Sequence, residues 1–216
     1  MSKVVKFDEI RDELKDGLSI MFGGFLECGT PDNLIDILHD IDIKDITLIA
    51  NDTGFPEKKL GSLIVEKRVK KVIASHVGTN PQTGKQMNNE EIEVDLVPQG
   101  TLAERIRSKG AGLGGFLTPT GVGTVVEDDK EKITVDGKDY LLEKPLGADV
   151  AFVKAWKADE SGNLVYRYSA RNFNPLIAMA ADLVIVEAEE IVPAGEIEPN
   201  EVMTPGVFVD HVVDFS

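Results

Sequence analysis

The chain has 216 residues, 42% of them apolar and 28% charged, with a formal net charge of -15 at pH 7. That balance excludes a reader of phosphate backbones, which needs a dense Lys and Arg surface, and no apolar run approaches the roughly 18 residues of a membrane span. One cysteine, Cys28, excludes an internal disulfide, and three scattered histidines give no metal-ligand spacing, so no metal site is expected.

The opening segment lacks the basic-then-apolar pattern of an export signal and reads as a helix, Phe7 to Lys15, broken at Asp16-Gly17; a cytoplasmic location is the expectation. The apolar run Leu18 to Phe22 suits a strand buried on both faces. After the loop Gly23 to Gly29, Thr30-Pro31-Asp32 predicts an N-cap, a proline at the first helical position and an acid in the first turn. Leu34, Ile35, Ile37 and Leu38 then give one apolar helix face. Ile46 to Ala50 is predicted as a strand, Lys58 to Val69 as a helix, and Lys71 to Val77 and Ile92 to Val97 as strands. Thr101 and Glu104 have capping-box spacing for a helix reaching Lys109. Asp136-Gly137 and Ser161-Gly162-Asn163 are hairpin turns within Ile133 to Leu142 and Ala148 to Tyr168, so a small antiparallel β insertion is expected there. Asn174-Pro175 opens a helix, Leu176 to Ala181, before a strand, Leu183 to Glu187. The alternation predicts an α/β fold with a mainly parallel central sheet flanked by helices, in one domain over 1–216.

Ligands of such sheets gather at the carboxyl ends of the strands. The loops there read GGFLECGTP, NDTGFP, GTNPQTG and PQGT: rich in amides and hydroxyls, with no evident nucleophile. The acidity of the chain repels an anionic ligand at long range, so local donors are needed. The basic runs Lys67, Arg68, Lys70, Lys71 and Arg105, Arg107, Lys109 are candidates for a local basic patch, with solvated helix faces as the bland alternative.

The segment Asp16 to Pro31, with Gly23-Gly24-Phe25, three free positions, Gly29, one free position and Pro31, resembles the first signature of the family I CoA-transferases. Further matches are Ile49 to Asp52, Pro98 to Arg107, Gly110 to Gly123 and Ala170 to Pro175. The resemblance is to alpha subunits of acetate and acetoacetate CoA-transferases, whose fold class is shared with ribose-5-phosphate isomerases. It implies transfer of CoA from a short-chain acyl-CoA to a free carboxylic acid, with CoA as substrate and no separate cofactor. It also implies a beta subunit, an α2β2 assembly, and a nucleophilic glutamate in a Ser-Glu-Asn-Gly motif on the beta half. No such motif occurs here; Asp159-Glu160-Ser161-Gly162-Asn163 has the wrong order. The resemblance further implies a CoA-binding loop of Gly23, Gly24, Phe25, Leu26, Glu27, Cys28, Gly29 and Thr30, and an acyl or carboxylate pocket at Asn51 and Gln99. The bland alternatives are a tight strand-to-helix turn for the loop and ordinary loop residues for Asn51 and Gln99. Asp52 has no assigned role.

Gly110 to Gly115 contains GxGxxG but follows a helix, which rejects a dinucleotide fingerprint; a loop closing on CoA and a plain connection both fit. Cys28 as a nucleophile and a triad at His39, His76 or His211 lack partner motifs in the sequence. A thioester hydrolase and a non-catalytic effector-binding module are the rival functions.

Overall fold

In the computed structural model, which describes residues 2–215, the chain opens with β1 (Val4–Val5) and α1 (Phe7–Ile10), followed by a 3-10 turn at Arg11–Glu13. The helix expected to reach Lys15 is shorter, because Ile10 and Leu14 alone are buried in that segment and give little packing to stabilise another turn. There follow β2 (Ser19–Phe22), α2 (Asp32–Asp40), β3 (Ile46–Asp52), α3 (Lys59–Val65), β4 (Val69–His76), α4 (Pro81–Asn88), β5 (Glu93–Leu96) and α5 (Gln99–Gly110).

Three local readings are corrected here. The stretch GTNPQTG, read as loop, starts helix α4: the Asn80 side chain accepts the Gln82 N–H at 3.2 Å, and Pro81 occupies the first position. Its buried face, Thr83 and Gln86, is polar, so no apolar periodicity announced it. The capping box at Thr101 does not form. Helix α5 begins at Gln99, Thr101 is buried within its first turn, and Glu104 pairs with Arg107 instead. Helix α3 ends at Val65, with Lys67 in the left-handed region at φ 58°, so Lys70 and Lys71 stand on β4 rather than on a helix.

A small antiparallel sheet, β6 (Phe116–Thr118), β7 (Lys132–Val135) and β8 (Lys138–Glu143), has the order β6-β8-β7. Asp136 and Gly137 both have positive φ, the requirement of a type I′ hairpin. The second half of the expected insertion belongs elsewhere: β9 (Ala148–Asp159) lies between β2 and the later strand β11 (Ala181–Val192) in the main sheet, parallel to both. The turn after it does pair β9 with β10 (Leu164–Val165), but a hairpin turn reports only its own two strands. Helix α6 (Asn174–Ile177), shorter than expected, precedes β11 (Ala181–Val192), which is longer, and β12 (His211–Val213) completes the sheet.

Among the described residues the main sheet has nine strands, eight along the path β1-β12-β11-β9-β2-β3-β4-β5, all parallel, and β10 off it against β9. One face packs under α2 and α3 through Leu34, Ile35, Leu38, Leu60 and Leu63; the other packs under α5 and α6 through Leu102, Ile106 and Ile177. Because β2, β3, β4 and β5 are consecutive parallel neighbours, the loops leaving them emerge along one edge. No helix is long and apolar enough to cross a membrane among the described residues.

Candidate functional site

The loop after β2 folds into a tight turn of its own. Phe25 and Cys28 exchange backbone hydrogen bonds at 3.1 and 3.0 Å, with Leu26 and Glu27 between them at φ 45° and 71°. Four side chains hold it. Asn51 Nδ2 donates to Gly24 O at 2.6 Å, and Asp52 Oδ2 accepts the Leu26 N–H at 3.0 Å. Asn172 accepts the Gly24 N–H and donates to Cys28 O, while Asn174 donates to Gly29 O. A Cβ on Gly23 would lie 1.9 Å from Asn174 Oδ1, and one on Gly24, at φ 107°, would lie 2.4 Å from Thr30 Oγ1. The glycines at 23 and 24 are thus demanded by the protein's own packing, both are buried, and the corner Phe25, Leu26 and Cys28 is what solvent reaches.

The predicted pocket residues do meet this loop. Asn51, 2% exposed at the end of β3, accepts Gln99 Nε2 on Oδ1 at 2.6 Å. Gln99 opens α5 and is exposed, and its Oε1 accepts the Ser75 hydroxyl from β4, which also lies 2.8 Å from Asn51 O. Loops from three adjacent strands and the start of α5 therefore join in one amide network. Asp52 acquires a role: its two oxygens accept the Leu26 and Gly54 amides, tying the glycine loop to the next one.

The start of α2 is closed from within the fold. Glu187 on β11, 1% exposed, accepts the Asn33 and Leu34 amides at 2.8 and 3.1 Å and pairs with Lys154 at 2.7 Å. An internal carboxylate already occupies the positive end of the helix dipole. Its neighbour Asp32, the acid of the first turn, is pushed up from the ordinary carboxylate range by burial and then by Glu187. Glu27 is likewise raised, by burial first and by Asp32 next, against the pull of Lys58 and the Phe55 amide. Its surroundings on balance disfavour the charged form. A cleft of about 270 Å³ behind the loop is lined by Glu27, Thr30, Lys154, Trp156 and Arg167 among others. Arg167 lies over Trp156 at 5.3 Å and over Tyr168 at 5.1 Å.

Other candidates sort quickly. Cys28 Sγ faces Ser169 Oγ at 3.3 Å, a hydroxyl with no base beside it in that contact. His39, which has no partner motif in the sequence, has partners in space: Glu66 at 3.0 Å on Nδ1 and Ser62 Oγ at 3.1 Å on Nε2. The Ser62 hydroxyl also lies 2.8 Å from Lys59 O, which competes with Nε2 for its single proton. Gly110 to Leu113 caps α5, with Leu113 N–H bonded to Ser108 O and Gly112 N–H to Lys109 O, the Schellman arrangement. Five members of the basic runs are engaged internally, Lys67 with Glu91, Lys71 with Glu93, Arg68 with Glu66, Arg107 with Glu104 and Arg105 with Lys144 O. Among the described residues no cluster of three or more His, Cys, Asp or Glu is placed to hold a metal ion.

The family model for coenzyme A transferase matches residues 6–214. The chain belongs to the coenzyme A transferase family. The acetate CoA-transferase subunit alpha of Escherichia coli K12 is 54% identical over 212 residues, covering 98% of this chain and 96% of that one. The acetoacetyl-CoA:acetate/butyrate CoA transferase alpha subunit of Clostridium acetobutylicum is 53% identical over 212 residues, covering 98% and 97%. Within the family, then, this is an alpha-type chain. Glutaconate coenzyme A-transferase of Acidaminococcus fermentans shares the fold at a TM-score of 0.85 and 22% identity, over 98% of this chain and 75% of that one. An acyl-CoA transferase of Escherichia coli O157:H7 does so at 0.82 and 23%, where this chain spans 98% of itself and only 47% of the other.

Among the described residues of this coenzyme A transferase chain two glutamates are buried, Glu143 and Glu187, and both are ion-paired, to Lys130 and Lys154. The string Asp159 to Asn163 is a turn in which buried Asp159 accepts the Ser161 and Asn163 amides at 2.9 Å. Sequence reasoning missed Asn172, Asn174 and Ser75 as builders of the site. Asn172 and Asn174 lie in a segment that matched the family signature, which was the available signal; Ser75 sits inside an apolar strand and carried none.

Proposed function

We propose that this chain is the non-nucleophilic half of an enzyme that moves CoA from a short-chain acyl-CoA to a free carboxylic acid. Acetate, acetoacetate and butyrate are the substrate class, in an α2β2 assembly with a beta subunit carrying the reactive glutamate. The observation that carries it is the 54% identity to an acetate CoA-transferase subunit alpha over nearly the full length of both chains. The absence of Ser-Glu-Asn-Gly from a chain whose buried glutamates are already ion-paired supports placing the nucleophile on the partner.

In this scheme a partner carboxylate oxygen attacks the thioester carbon, the C–S bond breaks, and a mixed anhydride and CoA thiolate form. The thiolate then attacks the glutamyl carbonyl, the C–O bond breaks, and the first acid leaves as carboxylate. The acceptor acid reverses both steps. The loop Gly23 to Thr30 supplies the alpha side of the CoA site, with Gly23 and Gly24 shaping it and the corner Phe25, Leu26 and Cys28 presented outward. Asn51 and Gln99 hold the acyl or carboxylate oxygens. The test is reconstitution: the isolated chain is expected to be inert, and co-expression with its beta subunit to restore transfer from acetoacetyl-CoA to acetate. Full turnover by the verified isolated chain would overturn the division.

A further inference from the structure

A primary amide has a donor end and an acceptor end of nearly equal shape, so its neighbours alone decide how it faces. In the site the sequence of demands runs in one direction. Gly24 O can only accept, and it takes Asn51 Nδ2 at 2.6 Å. Asn51 Oδ1 then needs a donor and receives Gln99 Nε2 at 2.6 Å. Gln99 Oε1 is left needing a donor in turn, and the Ser75 hydroxyl supplies it. Each NH2 group uses one proton in this chain of bonds and keeps a second. Because Gln99 is exposed at the start of α5, its second N–H is the one open to a ligand oxygen.

We propose that Ser75 is a positioning residue for acid recognition: by donating to Gln99 Oε1 it locks the Gln99 carboxamide so that N–H, not C=O, meets a substrate carboxylate. This rests on the placement of the acid at Asn51 and Gln99 proposed above. Without the hydroxyl, Gln99 Oε1 loses its donor, and the solvent-exposed side chain is free to swing off Asn51 or to turn its oxygen toward the anion. Ser75 is half-buried on β4, and of the two acceptors within reach of its single proton, Gln99 Oε1 and Asn51 O, Gln99 Oε1 is the nearer.

The experiment uses the enzyme assembled with its beta subunit and five variants: Ser75→Ala, Gln99→Ala, their combination, and the near-isosteric pair Ser75→Thr against Ser75→Val. The KM for the acceptor acid is expected to rise about tenfold in Ser75→Ala, the size of one hydrogen bond to a charged ligand. The KM for acyl-CoA and the melting midpoint should hold, and Ser75→Thr should behave as wild type. The double variant should be no worse than Gln99→Ala, since Ser75 acts only through it. If Ser75→Ala fails to assemble, the Thr and Val pair reads the hydroxyl alone. Additive effects of the two alanine substitutions would overturn the inference, as would an unchanged acid KM in Ser75→Ala alongside a raised one in Gln99→Ala. An unchanged acid KM in Gln99→Ala itself would instead remove the pocket placement, and this inference with it.

Discussion

Helices α2 and α5 start in the same way, each after a parallel strand and a loop ending in proline, and neither has a side-chain cap from its own N-cap residue. Their starts nevertheless differ in kind. At α2 the amides of Asn33 and Leu34 are taken by Glu187, 154 and 153 residues away on β11, and Lys154 balances the charge. At α5 the first residues, Gln99 and Gly100, are exposed, and Gln99 reaches across to Asn51. One junction is closed by the fold and the other is left open. Local grammar is shared, so whether a helix start serves packing or a ligand is decided by what the distant chain brings to it.

The sharpest way to break this comparison is Glu187→Ala. It strips the buried Leu34 amide and the part-buried Asn33 amide of their acceptor and leaves Lys154 without this partner, and should cost about 3 kcal/mol in urea unfolding. A loss below about 1 kcal/mol would mean that the carboxylate does not close that helix. Gly24→Ala comes next, at about 2 kcal/mol, because a Cβ at φ 107° is strained and meets Thr30. A neutral melting curve for that variant would return the loop's shape to some other cause. At the open junction the effects should reverse in kind. Gln99→Ala should leave stability within about 0.5 kcal/mol, since the residue is exposed, while lowering kcat/KM for the acid about tenfold in the assembled enzyme.

How much of this was legible in the sequence follows the same division. The alternation of β2 to β5 with their helices was readable because apolar residues recur at the right period, and the hairpin at Asp136-Gly137 because its chemistry is specific to positive φ. Helix α4 was not, since Thr83 and Gln86 bury hydrogen-bonding side chains, Thr83 to Thr53 and Gln86 to Ile64 O. The place of β9 in the main sheet was not, because strand order is set by pairings remote in sequence. Asn51 and Gln99 were reachable through the family resemblance. Their connection through Ser75, and the closure of α2 by Glu187, depend on contacts between residues 24 to 154 apart and had no local trace.

The smallest expected effect concerns Glu27, which lies in the glycine loop between the two junctions and is the carboxylate most easily mistaken for the nucleophile. Its carboxyl is raised by burial and by Asp32, so between the ordinary glutamate range and the raised value the folded protein holds its proton more tightly than the unfolded chain does. Stability is therefore lost as pH climbs through that window, and above it the ionised carboxylate carries the cost of its burial. Glu27→Gln removes that penalty and should raise the melting midpoint at pH 7 by about a degree, with the gain vanishing below about pH 4, where both side chains are neutral. The assembled variant should keep transfer within about threefold of wild type, since one loop contact is worth that much or less. Borohydride reduction after incubation with acyl-CoA should then modify a glutamate of the partner. Mapping of the modification to Glu27 by mass spectrometry, or loss of the covalent adduct in a folded Glu27→Gln complex, would place the nucleophile on this chain. The closed junction beside α2 would then be the reacting one.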